Sequence, residues 1–448
     1  MVEETFLKSI RFQDLDKWDV KRFFINQINS KYPVIFLEEL LNEQTEKKKL
    51  SKFPEEEFGI LGISNEVGMF DAYSDKGKNI NQSYKIVKND YIAYNPYRVN
   101  VGSIGIKKDN LKNSYISNAY VIFSTKDSLL ADYLYMIMHT RSFNKLIRDN
   151  TTGSVRQTLS FENLIKIAVP VPSIDEQKVI IQNYQNAITE AEKLENQADD
   201  EEDGIDNYIF SSLGIKEISL ERELSTILSL SSFSNMYNWD AKHAVLNVSP
   251  LTLLKSDKYK NVPIQTVFAV NPTTSYPSDL EEITFLPMEC ISDIYGCVLE
   301  KKTIGAKTKG YTKFKNNDVI FAKITPCMQN GKCAVVKDLQ AGYGMGSTEF
   351  HVFRTISTDA KPEYLHSLLR TMMLRKSAMN YFTGSSGQQR VSSEFIENLY
   401  IPLPPLPIQE EIVTHINSIK ENIKSLRKQA AELREKAKQD FENAVFIK

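Results

Sequence analysis

The residues best able to do chemistry lie in short runs. Asp175-Glu176-Gln177-Lys178 brings two carboxylates and a lysine within four positions, the set that a metal-dependent nuclease converges on one divalent cation. Four adjacent side chains at a helix start point in different directions, so this run makes no such centre. Cys290, Cys297, Cys327 and Cys333 are spaced more widely than the C-x2-4-C pairs of zinc sites and are expected as buried free thiols. His139, His243, His351, His366 and His415 show neither metal-ligand spacing nor a recognisable acid partner. No G-x4-G-K-[ST] loop offers itself to a nucleotide. The expectation is therefore a chain without catalysis, metal or cofactor of its own, in which binding is the function.

Asn95-Pro96-Tyr97 resembles the Asn-Pro-Pro-Tyr/Phe loop with which amino-methyltransferases hold a target amine. The second proline is missing, and no glycine-rich turn follows a strand to cradle an adenosyl cofactor, so a turn at a strand end is expected.

What remains are polar side chains on loops that glycine permits. Gly153-Ser154-Val155-Arg156-Gln157 and Gly384-Ser385-Ser386-Gly387-Gln388-Gln389-Arg390 present Ser154, Arg156, Gln157, Ser385, Gln388, Gln389 and Arg390 in two similar settings. Arginine pairs bidentately with guanine, glutamine with adenine, and serine with phosphate. Two further loops carry Tyr97, Arg98 and Ser103, and Lys323, Thr325, Gln329 and Lys332. For each residue a solvated polar turn is the competing reading.

These loops recur because the chain is duplicated. Trp18-Asp19-Val20-Lys21 matches Trp239-Asp240-Ala241-Lys242, and Asn89-Asp90-Tyr91-Ile92 matches Asn317-Asp318-Val319-Ile320. The run Ser117 to Phe123 matches Ser347 to Phe353, Tyr133-Leu134 matches Tyr364-Leu365, and Thr152-Gly153-Ser154 matches Thr383-Gly384-Ser385. Val169-Pro170-Val171-Pro172 matches Ile401-Pro402-Leu403-Pro404, with Gln177 and Gln409 five positions after the second proline. A duplicated unit suits a target in two parts, of which double-stranded DNA is the commonest.

The order of segments is A-B-A′-B′: residues 1–172 and 216–404 carry strand-like runs, and residues 173–215 and 405–448 are helical. Ile408 to Phe446 holds no Gly or Pro, and Ile412, Ile416, Ile419, Ile423, Leu426, Ala430, Leu433 and Ala437 step alternately by four and three. That seam predicts a helix of about 60 Å packed on another. Ile181, Tyr184, Ile188, Ala191, Leu194 and Ala198 form a rougher seam, in a helix expected to be interrupted at Gly204. Asp175, Glu410 and Glu411 are expected at the helix starts. Net charge is +3 in each A segment, −9 over 173–215 and +1 over 405–448. An acidic helix and a basic one favour pairing, and mild basicity supports a DNA face only beside further cationic surface. No apolar run approaches the length of a membrane span and the start lacks a secretory signal, which predicts a cytoplasmic protein.

Together the A-B-A′-B′ order, the Trp-Asp starts, the Gly-Ser loops and above all the Pro-rich joints at 169–177 and 401–410 resemble the specificity subunit of a Type I restriction–modification system. The resemblance covers nearly the whole chain. It implies a mixed α+β fold: two tandem α/β target recognition domains, separated and joined by two long helices in an antiparallel coiled coil. It also implies that each domain reads one half of a bipartite DNA site while the helices fix the spacer. The joints, with Pro170, Pro172, Gln177, Pro402, Pro404 and Gln409, would dock two adenine-methyltransferase subunits, and the full complex adds motor-nuclease subunits. S-adenosylmethionine, ATP and Mg would then sit on those partners. Alternatives are a coiled-coil scaffold whose domains bind proteins, a stand-alone DNA enzyme, and the specificity chain of a related phage-defence methyltransferase system.

Overall fold

Ile92-Ala93-Tyr94 and Val319-Ile320-Phe321-Ala322 are apolar without alternation, the mark of strands covered on both faces. Both are fully buried at the centre of a four-stranded sheet in the computed structural model, which describes residues 28–99, 102–150, 158–216, 249–385 and 388–447. The Trp-Asp starts and the 152–154 match lie outside the described residues. The fold is mixed α+β. The chain separates into two compact units, residues 1–194 with 428–448, and residues 195–427.

In the first unit the central sheet runs Leu41–Glu43, Val121–Thr125, Ile92–Tyr94, Ile104–Ile106. Helices Ala131–Met138 and Arg141–Asn150 bury Tyr133, Leu134, Ile137, Phe143 and Ile147 in the same core as Ile92, Tyr94 and Phe123. A five-stranded sheet, Lys47–Lys49, Ser83–Ile86, Tyr115–Ser117, Glu57–Ser64, Gly68–Lys76, shares a core around Leu61 with Ala93 and Ile122 of the central sheet and has a small core of its own around Leu50.

The second unit repeats the central sheet in the same order: Phe268–Val270, Phe350–Thr355, Val319–Ala322, Cys333–Val335. Helices Pro362–Arg370 and Met372–Met379 pack Tyr364, Leu365, Leu368 and Leu374 beneath it. Its outlying sheet has four strands, in the order Lys302–Gly305, Glu282–Leu286, Tyr343–Gly346, Thr312–Lys315. All four cysteines are free thiols, but only Cys290 and Cys333 are buried; Cys297 is exposed and Cys327 half-buried, both lying in turns rather than strands.

Register corrects one sequence match by a residue. Asp90 N donates to Lys107 O (2.9 Å) and Lys107 N to Tyr91 O (3.0 Å), while Asn317 N donates to Val336 O (2.8 Å) and Val336 N to Asp318 O (2.9 Å). Asp90 therefore stands where Asn317 does, not Asp318. Both have left-handed φ, 62° and 68°, which Asn and Asp tolerate better than other L residues. The turn, not residue identity, sets the alignment.

The first long helix, Ile174–Leu213, passes through Gly204 without a break. The cost of about 1 kcal/mol for an interior glycine is offset in the 195–427 unit, where Ile205, Ile209, Phe210 and Leu213 join the core. Its N-cap is Ser173, with Asp175 an acid of the first turn as expected: Ser173 N and Oγ donate to Glu176 Oε2 (3.0 and 2.7 Å), and Glu176 N faces Ser173 Oγ at 3.4 Å. Those bonds hold the Glu176 carboxyl below its ordinary range, as a capping box should. Asp175 pairs with Lys178 at 3.3 Å on the exposed surface. Asp175, Glu176 and Lys178 do not converge.

The second long helix, Leu406–Val445, buries the expected seam: Ile412, Ile416, Ile423, Leu426, Ala430 and Ala437 are buried and Ile419 and Leu433 half-buried. Glu410 ion-pairs with Lys361 instead of capping the helix. Within the 195–427 unit the two helices run antiparallel, since Arg427 binds Asp199 and Glu202 (2.9 and 2.6 Å) while His415 stacks on Tyr208, with ring centroids 4.0 Å apart. Within the other unit Tyr184 meets Phe441, with centroids 6.2 Å apart, and Phe441, Val445 and Phe446 enter the core.

Each unit takes a carboxylate from a long helix at one of its own helix starts. Glu442 Oε1 accepts from Ser142 N and Oγ (2.9 and 2.5 Å), and Asp206 Oδ2 accepts from Met372 N (2.6 Å). An anion at a helix N-terminus is favourable because four backbone N–H groups there lack partners. Among the described residues no helix is long and apolar enough to cross a membrane.

Candidate nucleic-acid interface

In the 195–427 unit the strand Val319–Ala322 delivers the chain into a loop, Lys323 to Lys332, and Cys333–Val335 takes it back. This loop is stitched to the segment after Gly384. Thr325 N donates to Gln389 O and Val391 N to Lys323 O, both at 2.9 Å, and Ile324 bridges Arg390. Lys323, Thr325, Gln389 and Arg390, far apart in sequence, thus share one locus. Ser385 and Gln388 sit beside it, both exposed, in a turn closed by Gln388 N to Ser385 O at 3.0 Å. Gly384 has φ 107°, a conformation that L side chains rarely adopt.

Arg390 is already engaged. Its Nε and Nη2 donate to Glu349 at 2.9 and 2.8 Å, and Nη1 donates to Gln388 O at 2.8 Å. The Arg390 bond holds the Glu349 carboxyl below its usual range. Glu349 therefore orients the guanidinium and takes two of its five N–H donors. Matching of the two copies hides this residue, because Glu349 falls opposite Ala119 in the repeat.

His351 supports the same locus from below. Asn271 Oδ1 accepts from Val352 N (3.0 Å) and its Nδ2 meets His351 Nδ1 (3.1 Å), which leaves His351 Nε2 to donate to Val391 O (3.0 Å). Burial pushes the imidazole down to about 4, so it is neutral and structural.

Of two expected contact residues, one has its ammonium engaged by carbonyls and the other is buried. Lys332 Nζ donates to Met288 O and Ile291 O at 3.0 and 2.9 Å, which makes it a clip between loops. Ser103 is 5% exposed; its N donates to Arg98 O (3.2 Å) and its O accepts from Asn95 N (3.1 Å), so it closes its own loop. Gln329 is half-buried and stands at the far end of the Lys323 loop.

In the first unit Tyr97 is 59% exposed and Arg98 is exposed. Asn95 Oδ1 accepts from Tyr97 N (3.0 Å) in an Asx turn. Leu159 N donates to Pro96 O at 3.1 Å, the counterpart of Val391 to Lys323. Ser154, Arg156 and Gln157 lie outside the described residues.

The joints repeat atom for atom. Val34–Phe36 pairs antiparallel with Ala168–Pro170, and Asn261–Pro263 with Tyr400–Pro402. Gln177 Oε1 accepts from Leu130 N (2.8 Å) while its Nε2 donates to Ser128 O and Pro172 O (3.0 and 2.9 Å). Gln409 Oε1 accepts from Lys361 N (3.0 Å) while its Nε2 donates to Asp359 O and Pro404 O (2.7 and 2.8 Å). Tyr133 Oη donates to Pro170 O (3.1 Å) and Tyr364 Oη to Pro402 O (2.7 Å). Pro170, Pro172, Gln177, Pro402, Pro404 and Gln409 are all buried. This corrects their assignment as partner contacts: they fasten each domain to the helix that follows it.

The family described as the Type I restriction modification DNA specificity domain matches residues 257–435. The chain is 37% identical over 154 residues to the specificity subunit of the Type I restriction enzyme EcoEI of Escherichia coli, covering 34% of this chain and 26% of the relative. It is 38% identical over 166 residues to that of EcoAI, also of Escherichia coli, covering 36% and 28%. The matched region thus spans about a quarter of the length of these curated relatives. A chain from a structure titled for complex assembly and conformational transition of the type I R-M system has a TM-score of 0.60 at 13% identity, covering 93% of this chain and 98% of the other. That likeness is one of fold.

Proposed function

We propose that the chain is a specificity subunit of the Type I restriction–modification kind, a reading supported by the family match over residues 257–435 and by the identity to two such subunits, and that it recognises a bipartite DNA sequence, one half for each copy of the repeated domain. The observation that carries this reading is the repeated loop pair: a loop after the central strand, stitched to the segment entering the next short helix, at Pro96 with Leu159 and at Lys323 with Val391. The reading domains are residues 1–172 and 216–404, and residues 173–215 and 405–448 are the helical spacers. Tyr97, Arg98, Ser154, Arg156 and Gln157 serve one half-site. Lys323, Thr325, Ser385, Gln388, Gln389 and Arg390 serve the other. Phosphate contacts set register and base-edge contacts set sequence.

The helix pair determines the spacer and, with the exposed surface around the joints, docks two adenine-methyltransferase subunits in the cytoplasm. The chain itself performs no covalent step. S-adenosylmethionine belongs to the methyltransferases, and ATP and Mg to motor-nuclease subunits. Methylome sequencing of cells with and without this gene tests the reading. A split adenine-methylated motif present only with the gene is expected; identical methylomes would overturn it.

A further inference from the structure

The Lys323–Lys332 loop is stitched at its near end to Gln389 and Val391, and its far end is held by two arginines at the junction of helices Pro362–Arg370 and Met372–Met379. Arg370 Nη1 donates to Gly331 O at 2.6 Å, and its Nη2 to Asp293 O and Ile294 O at 3.0 and 2.8 Å. Arg375 Nη1 donates to Gln329 O at 2.5 Å and its Nε to Arg370 O at 2.9 Å. Both guanidinium groups thus spend their planar donor sets on main-chain carbonyls, a use for which lysine lacks the geometry.

The backbone is shaped to admit them. Gly331 and Gly296 have φ of 79° and 64°. A Cβ at Gly296 would stand 2.5 Å from Arg370 Nη1, and one at Gly331 3.2 Å from Arg375 Cζ. The junction is in turn anchored on the first long helix by Asp206, which accepts from Met372 N. In the first unit, counting from the matched Tyr133 and Tyr364, the positions of Arg370 and Arg375 are held by His139 and Asn144, and His139 Nδ1 bonds Tyr135 O within its own helix.

We propose that Arg370 and Arg375 are positioning residues for the half-site read by the 195–427 unit, gripping the loop by the carbonyls of Gln329 and Gly331 so that Lys323 and Thr325 stay in register with Arg390. This rests on the DNA-reading function proposed above. The arginines touch no base; they act through the loop.

Two measurements on Arg375→Lys, Arg375→Gln and Arg370→Lys test it. In cells carrying the whole complex, the half-site that Arg390→Ala also alters should lose about tenfold in base preference at one or more positions, while the other half keeps its definition. The intact half reports that the protein is folded and assembled. Both halves unchanged would overturn the proposal, and so would both halves lost together, since the arginines would then serve the fold alone. In the purified full-length chain, the Met328, Asn330, Gly331 and Lys332 amides should exchange hydrogen at least about tenfold faster in Arg375→Gln, with Ile320 and Phe321 unaffected. Unchanged exchange in the loop would overturn the proposal whatever the methylome shows. Absence of any split motif with the unaltered chain would sink the DNA reading instead, leaving the exchange result to decide the grip.

Discussion

Gln177 and Gln409 make the same three hydrogen bonds in two copies of the repeat, whereas the loops that those copies present have little in common. Both are stitched to a distant segment, but one loop carries Tyr97 and Arg98 on an Asx turn and the other carries Lys323 and Thr325 beside an Arg390–Glu349 pair. The difference separates two jobs. A joint must hold a domain at one angle to a helix, which admits few solutions, so glutamine and tyrosine recur with the same partners. A loop that reads one half of a site is under no demand to resemble its counterpart.

If the joints are equivalent, damage to either should cost the same. Gln177→Leu and Gln409→Leu each strand a buried N–H and two carbonyls, and each should destabilise its unit by about 3 kcal/mol, measured by denaturant unfolding. A large loss at one joint and none at the other would break the equivalence.

Acid should act on one copy more than on the other. His351 has a pKa of about 4 when folded, lowered by burial, against about 6.5 when unfolded. The unfolded chain therefore binds the extra proton, and stability is lost as pH falls from about 6.5 to about 4, by about 3 kcal/mol in all. Hydrogen exchange at Val391, which His351 supports through its carbonyl, should quicken between pH 7 and pH 5 more than at Leu159, its counterpart. Equal acceleration at the two positions would show that the histidine does not set the difference.

The smallest effect belongs to the tyrosines. Tyr133→Phe and Tyr364→Phe each remove one buried hydroxyl bond to a proline carbonyl and should cost about 1 kcal/mol apiece. Thermal melts that differ between the two would locate a divergence inside the joints themselves.

The frame of the molecule was readable in the residues because its demands are periodic. Ile412 to Ala437 steps as a buried seam must, and the unalternating strands at Ile92 and Val319 are the covered ones. The exact pairing of copies was not readable there. Identity placed Asp90 with Asp318, whereas the left-handed turn places it with Asn317, because conformation is shared where the side chain is not. Gly204 suggested a break that tertiary packing of Ile205 and Ile209 prevents. Site residues were the hardest to see. Lys332 and Ser103 have the right chemistry, but the Lys332 ammonium binds two carbonyls of its own unit and Ser103 is buried. Glu349, Arg370 and Arg375 make their contacts between distant segments, which spacing along the chain does not encode.

The most direct test of a split reader with a helical spacer is to shorten the spacer. Removing a matched heptad from each long helix takes out about 10 Å, or about three base pairs of duplex. In cells supplying the same partner subunits, methylation mapping should then find both half-sites unchanged and the gap between them shorter by about that amount. The same two halves at the original separation would contradict the account.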